Sequence, residues 1–223
     1  MESHIESATG ERHLKVTANP WAPARYIHHC NLLTYVSLIC GVAAVIAAQE
    51  LRSWEITGLL IALAALADTF DGKFARRFPR TNDEQAFGEQ LDSLADAVSF
   101  GVVPVLCLHS LVPVVSVSAR LLLFSVSSIY VICALTRLGY YNVHHHVQRG
   151  FVGLPTTLAA LLCSTLFLAH PGLLAAVLAL TGIALAMISF LPIPRPRGIA
   201  WWAYMFWFSA VFAACGMQIG RHH

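Results

Sequence analysis

Residues 68 to 96 read DTFDGKFARRFPRTNDEQAFGEQLDSLAD. The stretch joins two apolar segments, roughly Trp54–Arg76 and Phe87–Leu111. With Asp68 as origin, Asp71, Gly72, Ala75 and Arg76 fall at offsets 3, 4, 7 and 8, one face of an α-helix. Gly88, Asp92 and Asp96 are spaced by four and share a face of the next helix, which Ser99 is expected to continue. A carboxylate in a membrane helix costs at least about 2.5–3.5 kcal/mol at the centre, so four of them converging need a reason.

Depth supports convergence. Asp68 is eight residues up from Arg76, and Asp96 eight residues up from Gly88. At about 1.5 Å per residue, both pairs lie within about 12 Å of one membrane surface. The connection Arg77–Phe87 is short enough to make the two helices neighbours, and both are expected to run unbroken. Four like charges in one pocket repel unless cations neutralise them. All-oxygen ligation suits Mg²⁺ or Mn²⁺, and four aspartates suffice for two ions that clamp a phosphoryl displacement. Gly72, Ala75 and Gly88 keep the seam open, and Arg76 is placed to meet a phosphate. Two other readings stand beside this one: structural pairing of the acids, and a cation or proton transporter, although transporters usually carry such groups near the midplane on broken helices.

The rest of the chain agrees with a membrane setting. Of 223 residues, 57% are apolar and 12% charged, and the mean hydropathy is +0.65. Soluble domains carry about twice that charge. This composition excludes a disordered chain, a nucleic-acid-binding domain and a disulfide scaffold. Asp96 is the last of twelve acids, leaving 127 residues with none. Further apolar segments are Leu32–Ala48, Ala119–Tyr141, Leu154–Ala169, Leu173–Leu191 and an aromatic-rich Ile199–Ile219. The expected fold is therefore all-α, a polytopic integral membrane bundle of six to seven transmembrane helices, the last either spanning or interfacial.

A cytoplasmic N-terminus puts eleven Lys and Arg on the inner side and three (Arg52, Arg120, Arg221) outside. Three regions are expected: a polar tail over 1–27 without a signal peptide, a core domain over 28–195, and a C-terminal helix over 196–223. The six cysteines read as small buried hydrophobes.

The acidic motif resembles the CDP-alcohol phosphotransferase family, whose pattern is D-x2-D-G-x2-A-R followed by G-x3-D-x3-D. All eight motif residues are present, from Asp68 to Asp96. The linker is about three residues longer than is usual, within the polar FPRTND loop. LDSLADAVSFGVVP (Leu91–Pro104), RLGYYNV (Arg137–Val143) and GFVGLPTT (Gly150–Thr157) look like the phosphatidylserine synthase branch. Gly139 and Tyr140 depart from that branch, where many members have Ala and Arg.

The resemblance implies a membrane enzyme, often dimeric, in a bacterial inner membrane with its site toward the cytoplasm. It implies transfer of a phosphatidyl group from CDP-diacylglycerol to serine with release of CMP, using two Mg²⁺ or Mn²⁺ ions. Asp68, Asp71, Asp92 and Asp96 would be the metal ligands, with Asp96 also the general base. Gly72, Ala75, Arg76 and Gly88, with Asn31 and Thr34 at the start of the first span, would contact the cytidine diphosphate. Inositol phosphate or glycerol phosphate as acceptor stays open. Arg137 and Asn142 are candidate acceptor contacts, the alternatives being a positive-inside charge and a helix C-cap.

His144, His145 and His146 read as solvated residues at a helix end. Gly153-Leu154-Pro155 is expected to open the fifth helix, with Pro in its first turn. Arg195 and Arg197 read as part of a rigid linker.

Overall fold

The computed structural model describes residue 24 and residues 26–144, 151–193 and 198–221. Most of the polar tail, His145, His146, Gly150, Arg195 and Arg197 lie outside the described residues. The described chain is helical: α1 (Leu32–Ile46), α2 (Trp54–Ala75), α3 (Asn82–Asp96), α4 (Val103–Leu111), α5 (Val117–His144), α6 (Thr156–Leu168), α7 (Leu173–Met187) and α8 (Ile199–Arg221). A π turn over Ala97–Val102 makes α3 and α4 one rod, so eight segments form seven helices. Among the described residues four stretches are long and apolar enough to cross a membrane: His29–Leu51, Asn82–Leu111, Val117–His144 and Trp201–Gly220. Thr156–Leu168 and Leu173–Met187 are apolar but shorter. Lipid-type side chains such as Ile39, Val42, Phe124 and Ile132 point outward, as expected where the solvent is hydrocarbon.

Local chemistry sets the boundaries. Arg52 adopts a left-handed conformation after α1, and the Ser53 hydroxyl then caps α2 by accepting from the Ile56 amide at 3.2 Å. Thr81 and Glu84 form a reciprocal capping box at the start of α3. This turns the polar loop after α2 into a firm start for the second acidic helix.

α2 is the central helix. It packs against α1, α6 and α8, and Ile61, Ala62, Ala64 and Ala65 are fully buried. The close packing rests on small residues. A Cβ at Gly58 would stand 3.2 Å from the Ser164 carbonyl of α6, and one at Gly41 would stand 3.0 Å from Ser99 Oγ.

Several expectations need correction. The rod carrying Asp92 and Asp96 is not a regular helix, because the π turn begins directly after Asp96. Pro104 has no N–H to give to the Phe100 carbonyl four residues back. The buried Tyr130 hydroxyl donates to that carbonyl instead, at 2.9 Å. Within that turn Ser99 donates to the Ser37 carbonyl of α1 at 3.3 Å rather than joining the aspartates. α1 packs against both α2 and α3, so the two acidic helices meet chiefly through side chains, with α1 bracing the pair.

Pro155 precedes α6 as its cap, with extended backbone (ψ 144°), rather than entering its first turn. Two residues of β1 (Phe151–Val152) pair antiparallel with β2 (Pro192–Ile193), a small ladder that the all-α expectation omitted. Gly153 (φ +73°) comes next, and a Cβ there would lie 2.1 Å from the Met187 carbonyl, so glycine is obligatory at that turn.

Candidate functional site

Asp68 and Asp71 lie near the end of α2, and Asp92 and Asp96 on successive turns of α3. The helices run in opposite directions through the site. Asp68 therefore meets Asp96, and Asp71 meets Asp92. One oxygen from each of Asp68, Asp92 and Asp96 lies within 4.8 Å of the other two.

Neutral hydroxyls hold several of these carboxylates. Thr157 Oγ1 donates to Asp68 Oδ2 at 2.7 Å, Thr156 Oγ1 to Asp96 Oδ2 at 3.2 Å, and Thr34 Oγ1 to Asp71 Oδ2 at 3.2 Å. Asp92 Oδ1 is buried with no hydrogen-bond partner among the described residues. An orphaned buried acceptor costs on the order of 1–3 kcal/mol, and more when charged. A hard divalent cation takes oxygen ligands and removes that cost. The residues present fit such an ion: the donor set is all carboxylate, and one oxygen lacks any other use.

The four aspartates open onto one cavity of about 160 Å³. Its other walls are Ser93 of α3, Arg137, Leu138, Tyr141 and Asn142 of α5, and Pro155, Thr156 and Thr157 at the start of α6. Arg137 is 7% exposed. Its Nη1 lies 3.5 Å from Thr156 Oγ1, and its guanidinium carbon lies 5.2 Å from the centre of the Tyr141 ring. Asn142 does not cap a helix, because α5 continues to His144. It crosses to α3 instead, where its Nδ2 donates to Ser93 Oγ at 2.9 Å. His144, the last residue of α5, stacks on Tyr140 at 4.3 Å.

The other expected site residues are not among the walls of this cavity. Gly72 faces open space, since a Cβ there would meet nothing within 4 Å. Ala75 is buried, and Arg76 is exposed at the end of α2. Gly88 admits Asn31, whose Oδ1 would lie 3.2 Å from a Cβ at that position. Asn31 and Thr34 are both buried, and Thr34 reaches the site through Asp71. Sequence reasoning did not single out Ser93, Tyr141, Thr156 or Thr157. The two threonines end the GFVGLPTT stretch, yet their partners lie 60 and 89 residues away. No local period points to them.

Fold and site together define a polytopic membrane protein with an acidic, cation-ready seam. Residues 27–191 match the model of the CDP-alcohol phosphatidyltransferase family, and the chain belongs to that family of membrane transferases of phospholipid synthesis. It is 34% identical over 170 residues to an archaetidylserine synthase of Methanothermobacter thermautotrophicus, covering 76% of this chain and 70% of that one. It is 32% identical over 192 residues to a CDP-diacylglycerol–serine O-phosphatidyltransferase of Methanocaldococcus jannaschii, covering 84% and 83%. A protein of that name from Bacillus subtilis is 29% identical over 171 residues, covering 74% and 88%. The matched range ends before α8, which lies outside it.

Proposed function

We propose that the chain transfers the phosphatidyl group of CDP-diacylglycerol to the hydroxyl of serine, releasing CMP and leaving phosphatidylserine in the membrane. The observation that carries the chemistry is the meeting of four aspartates from two helices at one cavity with an orphaned carboxylate oxygen. Serine as acceptor is supported by the relatives, whose names all specify serine products or substrates.

In this reading Asp68, Asp71, Asp92 and Asp96 hold two divalent cations, Mg²⁺ or Mn²⁺. When bound, the cations neutralise the diphosphate and polarise the phosphorus under attack. The chain's own residues do the rest. Thr156 holds Asp96 Oδ2, leaving Oδ1 to take the proton from the serine hydroxyl as its oxygen attacks. Arg137 and Asn142, in the cavity wall, orient the acceptor. The open backbone at Gly72, with Ala75, Arg76, Gly88, Asn31 and Thr34, forms the cytidine diphosphate side. The acyl chains stay in the bilayer.

The charge bias supports a cytoplasmic N-terminus and a site facing the cytoplasm of a bacterial inner membrane. In this arrangement six or seven helices cross and the functional unit is a homodimer. Residues 28–195 act as the catalytic domain, between the polar tail and a separate C-terminal helix.

An acceptor panel tests the reaction. Purified protein, CDP-diacylglycerol, Mn²⁺ or Mg²⁺ and one alcohol at a time are assayed for CMP. Serine-dependent CMP is expected. Release only with inositol phosphate or glycerol phosphate would replace the acceptor, and no release with any alcohol would sink the reading.

A further inference from the structure

Two adjacent hydroxyls at the start of α6 each reach a different acidic helix. Thr156 Oγ1 donates to Asp96 of α3, and Thr157 Oγ1 to Asp68 of α2. A threonine hydroxyl has one hydrogen. Thr156 spends it on Asp96 Oδ2 and accepts from Arg137 Nη1 with a lone pair. The direction Arg137 to Thr156 to Asp96 is thereby fixed, because guanidinium can only donate. Thr156 is 1% exposed, so no bulk water competes for it.

The backbone that presents the pair is itself pinned. Gly153 lies in a left-handed turn set so close to the Met187 carbonyl that no Cβ would fit there. The Gly153 amide donates to the Leu191 carbonyl at 3.0 Å, and the Leu154 amide to the Ala186 carbonyl at 2.9 Å. Pro155 then sets the entry into α6. A rigid turn tied to α7 therefore carries two hydroxyls into the seam between two helices that meet chiefly through side chains.

We propose that Thr156 and Thr157 are positioning residues that fix the carboxylates of Asp96 and Asp68 for cation binding and turnover, with Arg137 acting on Asp96 through Thr156. This rests on the reading of the four aspartates as a metal site. Hydrogen-bond partners of metal ligands are worth about 10–100-fold in metal affinity.

The test uses the full chain in detergent micelles, with free Mn²⁺ counted by electron paramagnetic resonance in the absence of any substrate. Thr156→Val and Thr157→Val keep shape and remove the hydroxyl; Thr156→Ser and Thr157→Ser restore it. Each Val variant is expected to bind Mn²⁺ about ten-fold more weakly and to release CMP more slowly even at saturating Mn²⁺. Each Ser variant is expected to recover to within about three-fold of the parent in affinity. Parent affinity and parent turnover in both Val variants would overturn the proposal, as would Ser variants as impaired as Val. If a Val variant does not elute as a single folded species, the Ala variant at that position takes its place. Asp68→Asn and Asp96→Asn run alongside. If they too bind Mn²⁺ like the parent, the metal-site reading has failed; if they lose Mn²⁺ while the Thr variants do not, only the positioning proposal has failed.

Discussion

The two ends of α2 treat carboxylates in opposite ways. At its start Glu55 is buried, and both of its oxygens have partners. Ser53 Oγ donates to Oε2 at 2.8 Å, and His170 Nε2 lies 2.9 Å from Oε1, with Trp54 stacked on the His170 ring. At its end Asp68 and Asp71 face two more aspartates, and Asp92 Oδ1 has no partner among the described residues. A carboxylate closed off by donors on both oxygens is held for structure. A group of carboxylates with an oxygen left over is prepared for something that arrives later.

The comparison can be broken most decisively at the acidic end. Asp96→Asn should lower serine-dependent CMP release by about 10²–10⁴-fold, the usual worth of a general base. Thermal unfolding should shift little, because one like charge leaves a crowded site. Retained activity would remove Asp96 from the chemistry.

Chelation should come next. EDTA should abolish activity, and Mn²⁺ or Mg²⁺ should restore it. Added metal at about 100 times its dissociation constant should stabilise the fold by roughly 2.7 kcal/mol. Glu55→Gln should show no change in that metal-dependent increment. A melting shift lost in Glu55→Gln would mean that the two ends are not separate.

At the quiet end, Glu55→Gln should cost about 1–3 kcal/mol of stability by weakening charge-assisted hydrogen bonds, with turnover changed less than two-fold. The smallest effect is expected from Tyr204→Phe. Its hydroxyl lies 3.3 Å from Thr69 Oγ1, which already donates to the Ala65 carbonyl at 2.7 Å. Loss of this α8 contact should cost about 1 kcal/mol. A large fall in activity would instead place α8 in the site.

The helices and the acidic seam were legible in the sequence because both rest on local periodicity. Apolar runs mark helices, and offsets of three and four put Asp68 with Asp71, and Asp92 with Asp96, on shared faces. Matched depth then came from counting inward from Arg76 and Gly88. The hydroxyls of Thr156 and Thr157 were not legible, because they reach across the bundle to residues far away in the chain. Arg137 could be suspected, but its route to Asp96 through Thr156 could not. The π turn hid for another reason. AVSFGV has ordinary helical composition, and the cue was Pro104, whose missing donor shows only where Tyr130 replaces it.

That turn has a consequence for the rod as a whole. A regular helix has one phase: once one residue's azimuth is set, every other is set too, at about 100° per residue. A spare residue between Asp96 and Val103 uncouples the two halves. Asn82–Asp96 takes its phase from the polar seam, and Val103–Leu111 takes its own from the apolar interior. Removing one residue from Ala97–Val102 would force a single phase on both, turning one half by roughly 100°. The aspartates could then stay on the seam only if Val105, Cys107 and Leu108 left the core they now fill.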